Sequence, residues 1–278
     1  MRHLLRIGSI ALAIALVSVV GATIAVTSAT SSPSLPTITV AMDKTTITVG
    51  GALQSGAVDI RSTTTDKSMG VAIFLRLNPG VTAAQALAFI GSPAGQDPNN
   101  ISQVAAIVVD APAPKGTTDV QTTLQPGDYL ALDGSGNDPL PNAAFTIAQA
   151  ADPAALPAAQ ATVQAIDFGF RGATTLRNGD LVRFANRGHV VHAIGGIRVK
   201  NVAAAKQLMT LLRAGKDSKA QHLALAFTDF LEPVSSGVLQ QMVVNAKPGV
   251  YVLACFEETQ DHREHTQLGQ LRMIHITK

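Results

Sequence analysis

The sequence predicts an all-β protein with helical insertions, arranged as two tandem β-sandwich domains. Short β-branched or alternating runs are set off by turn-forming Gly, Asn and Asp. One series of segments occurs twice at a single spacing, and stretches of small residues with proline fall where linkers belong.

At the N-terminus, Arg2, His3 and Arg6 flank the start of an apolar run from Ile7 to Val26, and Val26-Thr27-Ser28-Ala29 offers small residues suited to signal-peptidase cleavage. Residues 1–30 are therefore expected to be a signal peptide. The alternative is an uncleaved N-terminal membrane anchor, because the apolar run is long enough to cross a bilayer as a helix. Either places the rest of the chain outside the cytoplasmic membrane, as a secreted, periplasmic or cell-surface protein that meets the membrane only through such an anchor. Thr27 to Pro36, rich in Ser, Thr and Pro, reads as a linker. The first domain is expected over 36–150 and the second over 160–278, joined by the small, proline-bearing stretch from Ala148 to Ala161.

Strand-like runs include Thr37 to Val40, Thr46 to Val49 and Leu181 to Phe184, the last preceded by the turn Arg177-Asn178-Gly179-Asp180. In the first half a run from Ala72 to Leu75 ends in Arg76, a helical pattern follows from Val81 to Ile90, and Pro126-Gly127-Asp128-Tyr129 comes later. In the second half a run from Ala193 to Ile197 ends in Arg198, a helical pattern spans Ala203 to Leu212, and Pro248-Gly249-Val250-Tyr251 follows. One offset of 122 residues relates Arg76 to Arg198, Pro126 to Pro248 and Tyr129 to Tyr251. Two unrelated domains sharing a Pro-Gly turn would not also bring the helix into register, so the pattern reads as a duplication. Leu208, Leu211 and Leu212 recur at helical spacing and predict a face packed on the sandwich. Leu223 to Leu231 reads as a further helical segment, with Phe227 and Leu231 on one face.

Charged residues make up 14% of the chain and the net charge is +2, which argues against a nucleic-acid partner. There is no Trp and there are two Tyr, leaving little aromatic surface for sugar stacking. G-x-S-x-G, P-loop and H-E-x-x-H patterns are absent, and no enzymatic activity is expected. Glu258 and Asp261 offer a possible carboxylate pair on a charged loop. The lone cysteine, Cys255, has no internal disulfide partner; it pairs with another chain, sits buried and inert, or binds metal as a thiolate.

Six of the seven histidines lie in the second half, at His189, His192, His222, His262, His265 and His275, together with Cys255. A thiolate and imidazoles favour copper or zinc over hard cations, and two imidazoles with one thiolate and a weak axial ligand form a blue-copper site. Gly249 to Cys255 resembles the penultimate strand of cupredoxins, which ends in the copper-ligating cysteine. His265 to Leu271 resembles the ligand loop that follows, and Phe184 to His192 the strand and loop bearing the first histidine. The resemblance spans about Ala161 to Lys278 and reaches the first half through the repeat.

The resemblance implies Greek-key sandwiches. It also implies one copper ion held by His192, Cys255 and His265 with Gln270 axial, as in the stellacyanin-like branch, serving electron transfer or copper handling beside a redox or surface protein partner. His262 and His189 are alternatives to His265 and His192. His265 is preferred because Gly269 and Gln270 follow it, and His192 because it lies further from Asn186. The chain departs from the family in its long, charged loop from Cys255 to His265 and in Ala193, where asparagine is usual; Met273 lies too far along the last strand to be axial. A nearer likeness is to secreted bacterial cupredoxin-like proteins with a helical insert, a Pro-Gly-x-Tyr strand ending Cys-Phe and a long loop.

In the first half Asp133 stands for Cys255 and Gly70 for His192, so that copy is expected to be degenerate and metal-free. Asp133, Asn137 and Asp138 suggest either calcium or a Gly-rich surface turn. A metal site in the second half requires the Cys255 sulfur roughly 3–4 Å from two ring nitrogens, with the charged stretch arching outward and its carboxylates in water. The competing function is a metal-free structural or interaction module at the cell surface.

Overall fold

A computed structural model of the chain describes residues 34–136 and 139–278, without the side chains of 66–69 and 114–116. The expected signal peptide or anchor, residues 1–30, lies outside the described residues, as do Asn137 and Asp138. Among the described residues no helix is long and apolar enough to cross a membrane.

The first half runs β1 (Thr37–Met42), β2 (Ile47–Gly51), β3 (Gly56–Leu77), α1 (Ala83–Ile90), two 3-10 turns (Ala94–Gln96 and Pro98–Gln103), β4 (Ala105–Leu124), β5 (Gly127–Asp133) and β6 (Asn142–Ile147). The second half runs β7 (Ala161–Ile166), β8 (Gly169–Gly172), β9 (Thr175–Arg177), β10 (Leu181–Asn186), β11 (His192–Val199), α2 (Val202–Arg213), α3 (Asp217–Gln221), β12 (Ala226–Val234), β13 (Leu239–Val243), β14 (Gly249–Ala254) and β15 (Leu271–Thr277). The protein is predominantly β, with the sandwich architecture the sequence predicts.

In the second half, β8-β7-β10-β13 faces β12-β11-β14-β15-β9. Between them lie Val163, Phe184, Ile194, Phe230, Tyr251, Leu253 and Cys255, all buried, with the Phe184 and Phe230 rings stacked at 5.1 Å. Alternation along β14 turns Tyr251, Leu253 and Cys255 to this core. Ala205, Leu208 and Leu212 of α2 cover the outer face over Val252, Ala254 and Leu271. Helix α2 starts where the Asn201 side chain accepts from Ala204 N, and α1 where Thr82 and Gln85 cap each other reciprocally.

The first half reaches the same layering with fewer breaks. Residues 59–64 of β3 pair with β1 and residues 72–76 pair with β5, so one strand serves both faces and turns the corner without interruption. β4 does likewise, and the core between includes Ile38, Ile60, Phe74, Leu124 and Tyr129. Because these strands run through, the first half and one face of the second form a single ten-stranded sheet. The join is β4 against β13, with Thr122 opposite Gln240 and Gln121 opposite Gln241. Thr122 Oγ1 donates to Leu239 O at 2.6 Å, and Ser235 and Ile107 exchange two more hydrogen bonds.

The segment from Leu223 to Leu231, expected to be helical, lies mostly in strand β12, which pairs with β11. Phe227, Thr228 and Phe230 suit a pleated surface, and the open flank of β11 supplies the ladder. Phe227 is 43% exposed while Leu231 is buried.

The 122-residue offset extends to backbone pairing. Ile73 opposes Leu132 and Arg76 opposes Tyr129; at the same offset Gly195 opposes Ala254 and Arg198 opposes Tyr251. Tyr129 Oη donates to Gln125 O at 2.8 Å, and Tyr251 Oη to Lys247 O at 2.7 Å. Beyond Cys255 the register changes: Leu130 pairs with Ala144 but its counterpart Val252 pairs with Met273, so the second connection is seven residues longer.

Both tyrosines are almost wholly buried, so losing either hydroxyl leaves a carbonyl short of a donor. Tyr129→Phe and Tyr251→Phe are each expected to cost about 1–2 kcal/mol. The two effects should add to within about 0.5 kcal/mol in the double variant because the sites are distant. Denaturant unfolding of the single and double variants checks this.

Candidate metal centre

The centre forms where the second half breaks a strand that the first half leaves whole. At the end of β10 the Asn186 amide nitrogen donates to Val190 O and Val234 O, both at 2.8 Å, and its oxygen accepts from Gly188 N at 2.9 Å. These three bonds close the loop 187–191 and deliver His192 as the first residue of β11. His192 is fully buried. Cys255 follows the last residue of β14, and its sulfur accepts from Ala193 N at 3.2 Å. His265 sits in the loop between β14 and β15, held by His265 N to Glu257 O at 2.8 Å and Gln270 N to His265 O at 2.9 Å.

Three donor atoms converge from these segments. His192 Nδ1 and His265 Nδ1 are 3.1 Å apart, and the Cys255 sulfur is 3.8 Å from the first and 3.4 Å from the second. Among the described residues this is the one group of three such side chains close enough to share an ion. Gln270 is also fully buried, and among the described residues neither its amide oxygen nor its nitrogen meets a partner in full hydrogen-bond geometry. It lies beside both imidazoles and favours their protonated forms. The alternative histidines are elsewhere. His189 is exposed, and His262, with 88% of its side chain exposed, pairs with Glu258 at 3.4 Å.

Burial sets the charge state. It lowers the affinity of His265 for a proton, with His192 adding to the effect, to a pKa of about 4. Burial also lowers that of His192, against the opposing pull of Asp167. The Cys255 thiol is pushed well up by burial and then by Glu257. Two neutral imidazoles and a protonated thiol therefore face one another near neutral pH, and a cation that displaces the thiol proton would find three soft donors and an unused amide.

Asp167 was not legible as part of the site. It lies in the turn between β7 and β8, with its Oδ1 3.0 Å from His192 Nε2. The two carboxylate oxygens also accept from His189 N at 2.9 and 3.1 Å. Burial works against its charge, but these bonds outweigh it and hold the carboxyl below the usual range. Phe168 follows with φ +56°, an uncommon conformation for an aromatic residue. Its ring stands edge-on to His265 at 5.1 Å, and His265 Nε2 is buried without a partner. Asp167-Phe168-Gly169 reads in sequence as a plain turn, and nothing local ties it to a histidine 25 residues on.

The charged loop differs from expectation. Asp261 and Arg263 point outward and pair at 2.7 Å, but Glu257 and Glu264 turn inward. Burial, then Asp97 and Glu258, pushes the Glu257 carboxyl up to about 7. Glu258 and Glu264 bridge across the loop, and Asn99 of the first half donates to Glu258 O at 3.1 Å. These contacts draw the base of the loop in. Nor do Glu258 and Asp261 pair: the first meets His262, the second Thr259 and Arg263.

At the equivalent pole of the first half, Asp133 Oδ1 accepts from Val71 N at 3.0 Å, and Val71 is Ala193 displaced by 122. A carboxylate oxygen thus takes the amide that the sulfur takes in the second half. A Cβ at Gly70 would lie 2.8 Å from Met42 Cε and 2.9 Å from Thr64 Cβ, so that pole has no room for an imidazole.

No family model matches the chain, and no curated protein matches it. Among solved structures, auracyanin B is 20% identical over 42% of this chain and 87% of its own, with a TM-score of 0.26. The azurin Az-iso2 of Methylomonas sp. strain J is 15% identical over 42% of this chain and 94% of its own, at 0.24. The copper-containing nitrite reductase of Thermus scotoductus SA-01 is 11% identical over 87% of this chain and 68% of its own, at 0.25.

Gly188 is the tightest steric constraint in the centre, since a Cβ there would collide with Asp167 Oδ1 and His192 Nε2. Gly188→Ala is expected to separate these two groups and to destabilise the fold by about 1–3 kcal/mol. Thermal unfolding measures the loss, and the shift of the His192 ring resonances reports the separation.

Proposed function

We propose that the chain is an exported cupredoxin-like protein that binds one copper ion and serves electron transfer or copper handling, without catalytic activity of its own. The observation that carries this reading is the buried His192–Cys255–His265 cluster with the unpartnered Gln270 amide beside it. His192 Nδ1, His265 Nδ1 and the Cys255 thiolate would hold the metal, with Gln270 axial. Two imidazoles, one thiolate and a weak axial oxygen are the donor set of a blue-copper site. Bound copper would supply one-electron redox chemistry.

The protein's own part is to hold these donors still. His192 is fixed at the head of β11, Cys255 at the end of β14, and Ala193 N donates to the sulfur, which steadies a thiolate there. The buried shell keeps water from the donors. In the same reading, residues 1–30 direct export, 36–150 form a metal-free copy and 160–278 the metal-binding copy of one duplicated domain. The shared register at an offset of 122 supports the duplication. The filled pole at Gly70 and Asp133 supports a structural role for the first copy.

Titration of Cu(II) into the purified protein is expected to saturate at one ion per chain, with an intense visible band from thiolate-to-copper charge transfer. Cys255→Ser should abolish the band and weaken binding. A protein that keeps no copper after desalting, or keeps zinc alone, refutes the copper reading.

Binding is also expected to depend on pH with the slope of a single proton. The thiol, raised by burial, must lose its proton, whereas His265, already neutral above a pKa of about 4, contributes none. Apparent affinity should therefore fall by about tenfold per unit as pH decreases from 9 to 7, a range in which His192, lowered by burial, is neutral too, as measured by competition with a chelator of known pH dependence.

A further inference from the structure

The copper reading assigns no part to Asp167, yet this carboxylate governs where the hydrogens of the centre lie. An ionised carboxylate accepts hydrogen bonds and cannot donate them. With Asp167 Oδ1 3.0 Å from His192 Nε2, the imidazole must carry its hydrogen on Nε2. The Nδ1 lone pair is then bare and faces the sulfur and His265. The 3.1 Å approach of the two Nδ1 atoms needs one hydrogen between them, so in the metal-free protein His265 supplies it from its own Nδ1. That leaves His265 Nε2 without a hydrogen, which agrees with its burial against Phe168 without an acceptor.

The support is specific. Asp167 is tethered to the loop 187–191 by the His189 amide, and Gly188 makes room for it. Among the described residues His265 Nε2 has no comparable partner. The two imidazoles are thus held differently, one by a charged group and one by its loop.

We propose that Asp167 is the positioning residue of the centre. It locks His192 as the Nε2–H tautomer with Nδ1 open to the metal, and its negative charge biases the metal toward its oxidised state. This rests on the copper reading for its second half only; the tautomer exists without metal.

The test uses the full protein and two variants. In metal-free wild type, nitrogen-15 correlation spectra should show His192 protonated at Nε2 alone, and Asp167→Ala should give a mixture of tautomers. Asp167→Ala should also weaken Cu(II) binding by about 10–100-fold. Asp167→Asn keeps the shape and removes the charge. It is expected to retain most of the affinity while shifting the reduction potential of the bound copper to more positive values, which a merely structural role would not do. Should Asp167→Ala fail to fold, the Asn variant carries the decision through that potential. A His192 tautomer that is the same in wild type and Asp167→Ala, or a potential unchanged in Asp167→Asn, overturns the proposal. If wild type binds no copper, the copper reading fails, while a tautomer that changes in Asp167→Ala still upholds the positioning role.

Discussion

Asn186 commits its whole amide to three backbone groups, Val190 O, Val234 O and Gly188 N, and so closes the break between β10 and β11. The interaction is fully buried, where an unpaired amide would be costly and a satisfied one fixes a single arrangement. Everything at the centre follows from that closure. It starts β11 at His192, brings the His189 amide to Asp167, and aligns Ala193 N with the Cys255 sulfur. In the first half Thr64 occupies the equivalent position, the strand runs on through the corner, and among the described residues no group of three metal-binding side chains forms there.

The two halves thus differ less in their sheets than in their corners. One hydrogen-bond donor, the amide of Val71 or Ala193, is conserved in geometry, while its acceptor is a carboxylate oxygen in one half and a sulfur in the other. In the first half one oxygen of the Asp133 carboxylate accepts from that amide and from Ser135 N, while its Oδ2 is buried without a partner among the described residues. In the second half the Cys255 sulfur takes that amide, beside two imidazoles and the Gln270 side chain. Each pole thus keeps buried polar atoms short of a partner among the described residues, a single carboxylate oxygen in the first and the His265 and Gln270 side chains in the second.

Much of this was legible in sequence because it depends on local signals. Turn residues and β-branched runs gave the sandwich, and the Pro-Gly-x-Tyr segments at an offset of 122 gave the matching strands. The resemblance of three short segments singled out the donors that the structure brings together. The rest depends on distant partners. A 22-residue strand that bends through a corner has the same composition as two short ones, so the continuous sheet was hidden. Leu223 to Leu231 carries an apolar spacing that a helix or a strand can use, and only β11 beside it decides. Asp167 gains its meaning from His192 across a loop, and the base of the charged loop is held by contacts that include Asn99 of the other half, which donates to Glu258 O.

The join between β4 and β13 sets how the chain can be divided. β13 lies between β10 and β4, hydrogen-bonded on both flanks. A second half produced alone would present β13 as an open edge strand, with Val243 already 58% exposed at its end. Unpaired backbone of that kind is a template for strand addition by another chain. In the whole chain β4 of the first half lies along that edge and takes up its backbone at Gln240 and Gln241.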